Sequence, residues 1–518
     1  MPIPVLSPEQ SDAWDRQAET AGVPRSVLMN AAGRAVAQIV AARLPLAMAR
    51  GVLVAAGSGN NGGDGWVAAR AFHRAGVAVW VAAGGGEPGP LCAEARRLAL
   101  ADGVREVAAD GPWPAVGLAI DALLGTGARG APRPPIVGLV ERLADLAVPV
   151  VAVDGPTGLD LATGVVHGVA PAALSITFGG LRRGHLLGRD DAGDVVVADI
   201  GHPNPPADWP TLVSDAAAAA EVPPLPADAH KGTRGRVVVV GGDTGMAGAA
   251  RMVARAAFAT GAGLVHVACP ADTVRALQAA EPDVQTVEQE FASPPSPALL
   301  DLVTRADAVV LGPGLGRGAG RRAFVTAVMA RARRVVLDAD GLIALQGGLD
   351  VLRGRSAERP CVLTPHPGEF RALWPERAAA AETDPWGAAE SAARAAGVGC
   401  VVLLKGVPTV VASDGRAVMT VAAGNPGLAT GGSGDLLSGI IGCLLAQGRD
   451  APLAAAAAAQ ALGRAADIAA RRHTARAMRP VDVVRALPDL WREWEVLRRA
   501  PRAPAPPVLL ELPAPARV

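Results

Sequence analysis

The chain has 518 residues, half of them hydrophobic, and its 49 basic residues balance 49 acidic residues. A chain of this length is too long for one ordinary domain, so we expect two sizeable hydrophobic cores. The balanced charge leaves no global field that would gather nucleic acid or a charged membrane surface, which excludes both as partners. Any anionic ligand must be held by local groups.

The cysteines and the N-terminal segment predict the compartment. The five cysteines lie far apart, with no CxxC pair and no compact framework of the secreted kind. The segment MPIPVLSPEQ has no signal-peptide pattern, and charges interrupt every long apolar run. We therefore expect a soluble, cytoplasmic protein that works without a membrane.

Short β-branched runs recur in both halves, each followed by glycines or an acid and then by an Ala-rich segment with helical spacing. This alternation predicts α/β domains with parallel sheets, whose ligands bind beyond the carboxyl ends of the strands. We predict strands at 51–55, 77–81, 117–120, 148–153 and 174–177 in the first half, and at 236–240, 262–267, 308–311, 335–337, 361–363 and 400–404 in the second.

Pro-rich stretches predict the domain boundaries, because they make few packed contacts. GHPNPPADWP begins at Gly201, and EVPPLPADAH ends at His230. We predict a first domain at 1–215, a linker at 216–228 and a second domain at 229–498. The Pro-rich remainder, 499–518, is predicted to be a disordered tail.

The motif GSGNNGGDG, at 57–65, follows a predicted strand and precedes a helical segment. Backbone N–H groups at such a helix start suit a pyrophosphate. A tight glycine turn without a ligand is the alternative, since short glycine motifs are common. Asn60, Asn61 and Asp64 add amide and carboxylate groups that a simple turn does not need, which favours a binding site.

Two more loops follow strands of the same predicted sheet. DALLGTGARG begins at Asp121, and VDGPTGLD contains Asp154. Both aspartates should reach the sheet edge where Asn61 lies, and their oxygens could hold a hard cation. For either aspartate alone, a helix cap or a turn is the alternative role.

These three segments resemble the signature segments of the NAD(P)H-hydrate epimerase family, over roughly residues 1 to 215. The resemblance implies a Rossmann-like domain that inverts C6 of a hydrated nicotinamide ring, with Asp154 as the group that transfers the hydroxyl proton. It implies K⁺ at Asn61, Asp121 and Thr157, where the family usually has serine at the last position. It implies that the hydrate is bound by Asn60, Asn61, Gly62, Gly63, Asp64, Gly125, Thr126, Gly127, Ala128, Arg129, Gly130 and Ala131. Some relatives carry a lysine suspected of catalysis at the position of Arg129, which here is at most a helper.

The second half contains a denser constellation, GNPGLATGGSGDLLSGIIGCLL. Phosphoryl transfer needs a cradle of N–H groups at a helix start and a carboxylate that accepts the proton of the attacking hydroxyl. GGSGD supplies the cradle, with Asp435 as the base. The alternatives are a helix-dipole role for Asp435, a solvent-directed Lys405 at a strand end, and simple packing for His366 between two prolines.

HKG, GPGLG, DADGL, TPHPGEF, LLKG and GGSGD occur in the order of the nucleotide-dependent NAD(P)H-hydrate dehydratase family, which they resemble over about residues 225 to 495. The resemblance implies a ribokinase-like fold that phosphorylates the C6 hydroxyl and then releases phosphate. It implies that Ala262, Gly316, His366 and Asp435 contact the hydrate, and that Lys405, Gly406, Val407, Pro408, Thr409 and Gly434 contact the nucleotide. ADP is expected as the cosubstrate, as in bacterial-type fused enzymes, together with Mg²⁺.

The sequence thus predicts an α/β protein of two three-layer domains, an epimerase and an ADP-dependent dehydratase of NADH and NADPH hydrates, acting on small molecules as a homo-oligomer. A ribokinase-like kinase of a vitamin precursor, fused to a dinucleotide-binding domain, is the closest alternative. A binding protein without catalysis is a further one. Zinc hydrolysis is excluded, since the eight histidines show no HExxH or paired ligand spacing.

Overall fold

The computed structural model describes residues 2–499 and 505–516. Within these residues the chain forms two compact units, 2–211 with 505–515 and 212–499. Both are α/β, which confirms the predicted fold class. No helix of the described residues is long and apolar enough to cross a membrane.

The first unit alternates strands and helices as predicted. Its strands are β1 (Val5–Leu6), β2 (Val52–Ala56), β3 (Val79–Ala83), β4 (Arg105–Val107), β5 (Leu118–Ala122), β6 (Val150–Val153), β7 (Leu174–Phe178), β8 (Leu181–Arg182) and β9 (Asp194–Ala198). Its helices are α1 (Pro8–Thr20), α2 (Arg25–Arg43), α3 (Pro45–Met48), α4 (Asn60–Arg74), α5 (Pro90–Ala101), α6 (Ile136–Asp145) and α7 (Arg183–Leu187).

The main sheet of this unit is parallel in the order β9-β7-β6-β5-β2-β3-β4, while β1 and β8 pair separately. Counted from β2, the strands from β4 to β7 have the order 3-2-1-4-5-6 of dinucleotide-binding folds. The central strands are buried along their whole length because helices cover both faces. The chain reverses its direction of growth between β2 and β5, so the loops after these strands flank a crevice.

The second unit contains ten strands and twelve helices among the described residues. The strands are β10 (Thr211–Leu212), β11 (Arg236–Val240), β12 (Leu264–Cys269), β13 (Gln285–Glu288), β14 (Ala308–Leu311), β15 (Val335–Leu337), β16 (Cys361–Leu363), β17 (Cys400–Leu404), β18 (Thr409–Ser413) and β19 (Met419–Val421). The helices are α8 (Asp215–Glu221), α9 (Ala247–Thr260), α10 (Ala271–Ala280), α11 (Pro297–Arg305), α12 (Arg321–Arg331), α13 (Asp340–Ala344), α14 (Pro367–Leu373), α15 (Ala378–Thr383), α16 (Pro385–Ala396), α17 (Ser433–Ala446), α18 (Ala451–His473) and α19 (Pro480–Arg499).

The sheet of this unit is parallel from β13 through β12, β11, β14, β15 and β16 to β17, and it continues with β18 and β19 as antiparallel strands. Its direction of growth reverses between β11 and β14. One large core joins the sheet to the Ala-rich helices α9, α17, α18 and α19. Ligands of such a sheet bind beyond the carboxyl ends of the strands, close to the reversal.

The predicted linker at 216–228 is wrong in its first part, which is helical. Ser214 caps α8 by accepting a hydrogen bond of 3.1 Å from the N–H of Ala217. Ala218 and Ala219 are buried, and Asp215 accepts hydrogen bonds from the second unit's Gln460 and Arg464. The short Ala run therefore packs as a helix of the second unit, which begins at 212 rather than 229.

The predicted disordered tail is also wrong where the structure describes it. β20 (Val508–Leu512) pairs with β9 in antiparallel register and extends the first sheet at its edge. Glu511 forms an ion pair of 2.6 Å with Arg43, and Arg189 donates a hydrogen bond of 3.0 Å to the carbonyl of Leu512. VLLEL is a strand-forming run between prolines. The rest of the predicted tail, 500–504 and 517–518, lies outside the described residues.

Candidate active sites

A cavity of about 540 Å³ opens at the carboxyl edge of the first sheet. Seven of the twelve residues predicted to bind the hydrate line it, namely Asn60, Asn61, Asp64, Gly125, Thr126, Gly127 and Ala128, and so does the predicted catalytic residue Asp154. Arg129, Gly130 and Ala131 are not among its lining residues. Arg129 instead forms an exposed ion pair of 2.8 Å with Glu9.

Two glycines let the start of α4 lie directly against the strand ends. A Cβ on Gly62 would lie 1.8 Å from the carbonyl oxygen of Gly57, and a Cβ on Gly57 would lie 2.0 Å from that of Leu123. Gly62 and Gly63 are accordingly buried beneath the cavity rather than lining it. No side chain caps α4. The N–H groups of its first turn are therefore available to an anion.

Asp154 lies at the cavity in the left-handed backbone region, with φ of 65°. Its Oδ2 accepts hydrogen bonds from the N–H (2.8 Å) and the hydroxyl of Thr126, and its Oδ1 accepts one of 3.0 Å from Thr177. Arg182 lies 3.3 Å from Oδ1. Burial alone would raise the pKa of Asp154, but Arg182 and Thr126 outweigh it and lower the pKa. Asp154 is therefore an ionised carboxylate whose orientation is fixed by these hydrogen bonds.

His185 forms hydrogen bonds with the backbone of both Arg182 and Asp154. Its Nδ1 accepts a hydrogen bond of 3.1 Å from the N–H of Arg182, so Nε2 carries the proton and donates to the carbonyl of Asp154 at 2.6 Å. Burial lowers the pKa of His185 to about 4. The imidazole is neutral near pH 7, and it orients the backbone of Asp154 without adding charge.

Asp64, in the second turn of α4, has the opposite electrostatic setting. Burial raises its pKa well above the ordinary value, and the charges of Asp154 and Asp15 raise it further. Among the carboxyl groups that line the cavity, Asp154 is therefore kept ionised, whereas Asp64 favours its protonated form. Environments that separate the pKa values of two acids in this way are typical of sites that transfer protons.

The residues predicted to bind a cation lie at the same sheet edge. The hydroxyl of Thr157 donates a hydrogen bond of 2.7 Å to Oδ1 of Asp121, and its N–H donates one of 2.7 Å to Oδ2. A Cβ on Gly125 would lie 3.1 Å from Oδ1 of Asn61 and 3.1 Å from Oδ2 of Asp154. Nδ2 of Asn61 is buried without a hydrogen-bond partner among the described residues.

Several cavity residues escaped the sequence analysis because no motif marks them, among them Asp12, Asp15, Arg25, Arg182 and His202. His202 stacks on Trp14 with ring centroids 4.3 Å apart, and its Nε2 lies 2.9 Å from Oδ1 of Asp15. Of these residues, only Arg182 could have been found from the sequence pattern. It follows β7, and β7 pairs with β6, the strand directly before Asp154.

In the second unit a buried ion pair lies at the carboxyl ends of β15 and β17. Nζ of Lys405 donates a hydrogen bond of 2.9 Å to Oδ1 of Asp338 and lies 3.7 Å from Glu369. Ser438 donates one of 2.7 Å to Oδ2 of Asp338. Burial lowers the pKa of Lys405, but Asp338 and Glu369 more than compensate and raise it. Lys405 is held in the site as a cation and does not extend into solvent.

Asp435 lies in the first turn of α17, after Gly432, whose φ is 104°. Burial raises the pKa of Asp435 to about 7, and Asp338 adds to the rise while Lys405 opposes it. A Cβ on Gly434 would lie 3.3 Å from Nζ of Lys405. The structure thus brings the predicted base, the cradle and the lysine together. A carboxyl group with a pKa near the working pH is well suited to general base catalysis.

Gly316 lies in the loop after β14, where the sheet reverses its order of growth. Its φ is 74°, and a Cβ there would lie 2.6 Å from Oδ2 of Asp243. Its N–H donates a hydrogen bond of 3.0 Å to Asp340, and Arg321 forms an ion pair of 2.9 Å with Asp243. This loop therefore reaches the same edge of the sheet as the ion pair of Lys405.

His366 has a structural role besides the predicted one. Its Nδ1 accepts hydrogen bonds from the N–H groups of Gly368 (3.0 Å) and Glu369 (3.3 Å), which caps α14. The side chain is 56% exposed at the carboxyl edge of the sheet. Its ring is therefore fixed in position yet still accessible to a ligand.

Ala262 does not join the other residues predicted to contact the hydrate. It is buried before β12, and a Cβ on its neighbour Gly263 would lie 2.1 Å from the carbonyl oxygen of Lys231, which precedes β11. Ala262 therefore lies at the amino edge of the sheet. Asp435 lies at the opposite edge, roughly 15 Å away, the length of the strands between them. The position of Ala262 therefore does not support its expected contact with the hydrate, which stays a prediction.

Five of the six residues predicted to bind nucleotide connect β17 to β18: Lys405, Gly406, Val407 and Pro408 form the turn, and Thr409 begins β18. The hydroxyl of Thr409 donates a hydrogen bond of 3.2 Å to the carbonyl of Gly406. Val407 is 75% exposed. The turn therefore has an accessible apolar surface.

The fold and the sites define a class of protein, an α/β chain that joins a dinucleotide-type cavity in one domain to a kinase-type phosphate cradle in another. A family model for NAD(P)H-hydrate dehydratase matches residues 237–489, and one for the YjeF-related protein N-terminus matches residues 25–184. The chain is 38% identical over 480 residues to the bifunctional NAD(P)H-hydrate repair enzyme Nnr of Escherichia coli K12, covering 91% of this chain and 90% of the relative.

Solved structures match about half of the chain. A ribokinase-like superfamily protein of Enterococcus faecalis is 27% identical, with a TM-score of 0.48, covering 55% of this chain and 95% of its own. The ADP/ATP-dependent NAD(P)H-hydrate dehydratase of Bacillus subtilis, co-crystallised with ATP and Mg²⁺, is 25% identical, with a TM-score of 0.46, covering 54% of this chain and 97% of its own. On the sequence comparisons, the chain belongs to the family of bifunctional NAD(P)H-hydrate repair enzymes.

Proposed function

We propose that the first domain interconverts the R and S forms of hydrated NADH and NADPH, and that the second dehydrates the S form at the expense of ADP, giving AMP and phosphate. Family membership supports the pair of activities. The observation that carries the mechanism is Asp435, with a pKa of about 7, beside Lys405 and the glycine cradle.

In the first domain, inversion at C6 requires proton transfer at the hydroxyl on that carbon. Asp154 accepts the proton, because Arg182 and Thr126 keep it ionised and oriented. Asp64 faces the same cavity in a setting that favours its neutral form, so it can donate a hydrogen bond to the hydrate. The first turn of α4 holds the pyrophosphate through its N–H groups.

The donors at Asn61, Asp121 and Thr157 fit K⁺, since they offer amide, carboxylate and hydroxyl oxygens at one sheet edge. When bound, the ion would supply positive charge next to the anionic hydrate.

In the second domain, Asp435 accepts the proton of the C6 hydroxyl while the oxygen of that hydroxyl attacks the β-phosphorus of ADP. The bond from that phosphorus to the oxygen of AMP breaks, and AMP leaves. The C6–O bond of the phosphorylated hydrate then breaks, phosphate departs, and loss of a proton from C5 restores the dihydropyridine. Lys405 and the N–H groups around Gly434 hold the phosphates. Mg²⁺ would neutralise phosphate charge when bound with the nucleotide.

The test is to incubate the purified chain with mixed hydrate epimers and with ADP or ATP, and to follow the near-ultraviolet absorbance of the reduced nicotinamide. Full conversion with ADP is expected, because epimerisation supplies the S form. Phosphorylation of hydroxymethylpyrimidine or hydroxyethylthiazole, with no return of absorbance from the hydrates, would instead establish the vitamin-precursor kinase. Ligand binding with an unchanged epimer ratio would establish a binding protein.

We also infer a cytoplasmic location, since all five cysteines are free and buried in the structure. The homo-oligomeric state expected from the sequence stays a prediction.

A further inference from the structure

The phosphoryl-transfer site carries more negative than positive charge. The charges of Asp338, Glu369 and Asp435 all raise the pKa of Lys405. Lys405 already forms ion pairs with Asp338 and Glu369. A nucleoside diphosphate bound in this site adds further negative charge. Transfer of a phosphoryl group is catalysed mainly by positioning and by neutralising charge, so a cationic side chain close to the cradle would add to the charge that Mg²⁺ supplies when bound.

The connection between α18 and α19 packs against the turn that forms the cradle. A Cβ on Gly427 would lie 2.4 Å from the carbonyl oxygen of Ala475, and one on Gly432 would lie 3.1 Å from Cγ of Pro480. These two contacts lie on either side of Gly431 in the sequence. The connection therefore packs against the segment 427–432, which leads into the cradle.

The first residue of this connection has a strained backbone. Thr474 has φ of 64° and ψ of 152°, a conformation that is essentially restricted to glycine. Such strain persists only where the surrounding structure enforces it, and it is concentrated at functional sites. At Thr474 the chain turns out of α18, and the next residue, Ala475, lies directly against Gly427.

Arg476 lies between the two contacts and is exposed. It forms no hydrogen bond or ion pair within the part of the chain that the structure describes, 2–499 and 505–516. Nearby arginines differ, because Arg472 pairs with Asp489 at 2.5 Å and Arg479 lies 4.0 Å from Asp482. Arg476 is thus an exposed cation on the connection that packs against the residues leading into the cradle, and the described residues provide no partner for it.

We propose that Arg476 binds the phosphoryl group that is transferred from the nucleotide, as an arginine supplied by the chain itself. The planar guanidinium matches phosphate oxygens in a bidentate manner and stays charged at all working pH values. Arg476 forms no covalent bond and moves no proton; it stabilises the charge on the phosphoryl oxygens while the bond to AMP breaks. The proposal rests on the dehydratase activity given above.

The test uses the full chain with Arg476→Ala, Arg476→Lys and the control Arg472→Ala. Arg476→Ala should slow ADP-dependent turnover of the S hydrate by on the order of 10³-fold, the lower end of the range for such arginines. Arg476→Lys should retain part of the turnover, since lysine keeps the positive charge but lacks the bidentate guanidinium. ADP affinity should fall while AMP affinity is kept, because AMP lacks the transferred phosphoryl group. The rate of epimerisation in the Arg476 variants should match that of the parent. The control Arg472→Ala should match the parent in turnover and in ADP affinity.

Three results would overturn the proposal: parental turnover in Arg476→Ala, an equal loss of ADP and AMP affinity, or the same loss in Arg472→Ala. The last two would indicate damage to the connection rather than loss of a phosphate contact. A parent that fails to dehydrate the hydrate with ADP would instead refute the proposed function itself, and this is measured first.

Discussion

Lys405 donates a hydrogen bond of 2.9 Å to Asp338, and this ion pair acts on Asp435 with opposite signs. Lys405 favours the ionised form of Asp435, whereas Asp338 and burial disfavour it more strongly, so the pKa settles at about 7. Asp338 thereby keeps the lysine charged and in place and also makes Asp435 a stronger base. Substitutions here separate a catalytic role of Asp435 from a helix-capping role.

Asp435→Asn should lower dehydration of the S hydrate by roughly 10² to 10⁴-fold, the usual cost of losing a general base. The amide keeps the size of the side chain and can still stabilise a helix start, but it cannot accept the hydroxyl proton. ADP affinity and epimerisation should be retained. Turnover and ADP binding are measured in the same preparation; parental turnover would leave only the capping role.

The rate of dehydration should rise with pH through the pKa of Asp435, about 7. The base must be ionised to accept a proton, so kcat/KM should fall about tenfold per pH unit below that value and reach a plateau above it. A pH profile at limiting hydrate measures this. In Asp435→Asn the residual rate should lose this inflection, and a parent profile that is flat from pH 6 to 8 would contradict the assignment.

Asp435→Asn should also stabilise the second domain at alkaline pH. The folded pKa of Asp435 is raised, so its contribution to folding is favourable below the unfolded pKa and is lost as pH rises through about 7. The neutral amide avoids that loss. The gain should be on the order of a few kcal/mol at pH 8 and absent near pH 3. Denaturant unfolding at both pH values checks the sign, and an equal effect at both would contradict it.

Asp154→Asn should abolish epimerisation, because the amide cannot accept the C6 hydroxyl proton that Arg182 and Thr126 prepare Asp154 to take. Asp121→Asn should mainly raise the K⁺ concentration needed for half-maximal rate. Dehydration of the S hydrate should persist in both variants. Epimer ratios followed with and without K⁺ distinguish the two effects, and a parental rate in Asp154→Asn would remove its proton-transfer role.

Truncation after Arg499 should destabilise the first domain, although the removed residues come after the second domain in the sequence. It removes β20, which leaves the edge of β9 unpaired and deletes the ion pair of Glu511 with Arg43. We expect a loss on the order of 2 kcal/mol in unfolding monitored by epimerase activity. Glu511→Gln serves as the milder control. Dehydratase activity should not change, and unaltered stability of the first domain would show that β20 is dispensable.

Much of the fold followed from local sequence patterns. β11, β14, β15, β16 and β17 have the predicted bounds, because buried parallel strands are continuous β-branched runs. The strands β4, β9, β13, β18 and β19 were not predicted. Edge strands and hairpins depend on partners that are distant in sequence, and their own patterns are weak. β20 is the extreme case, since its partner β9 lies more than 300 residues earlier.

The sequence by itself determined which loops carry the chemistry, because glycine and acid motifs after strands must meet at one sheet edge. Only the tertiary structure decided what each acid does there. Asp154 is ionised because Arg182 and Thr126 lie against it, and Asp435 has its high pKa because it is buried near Asp338. Burial and charge at a few ångströms set these properties, and neither is encoded in a short motif.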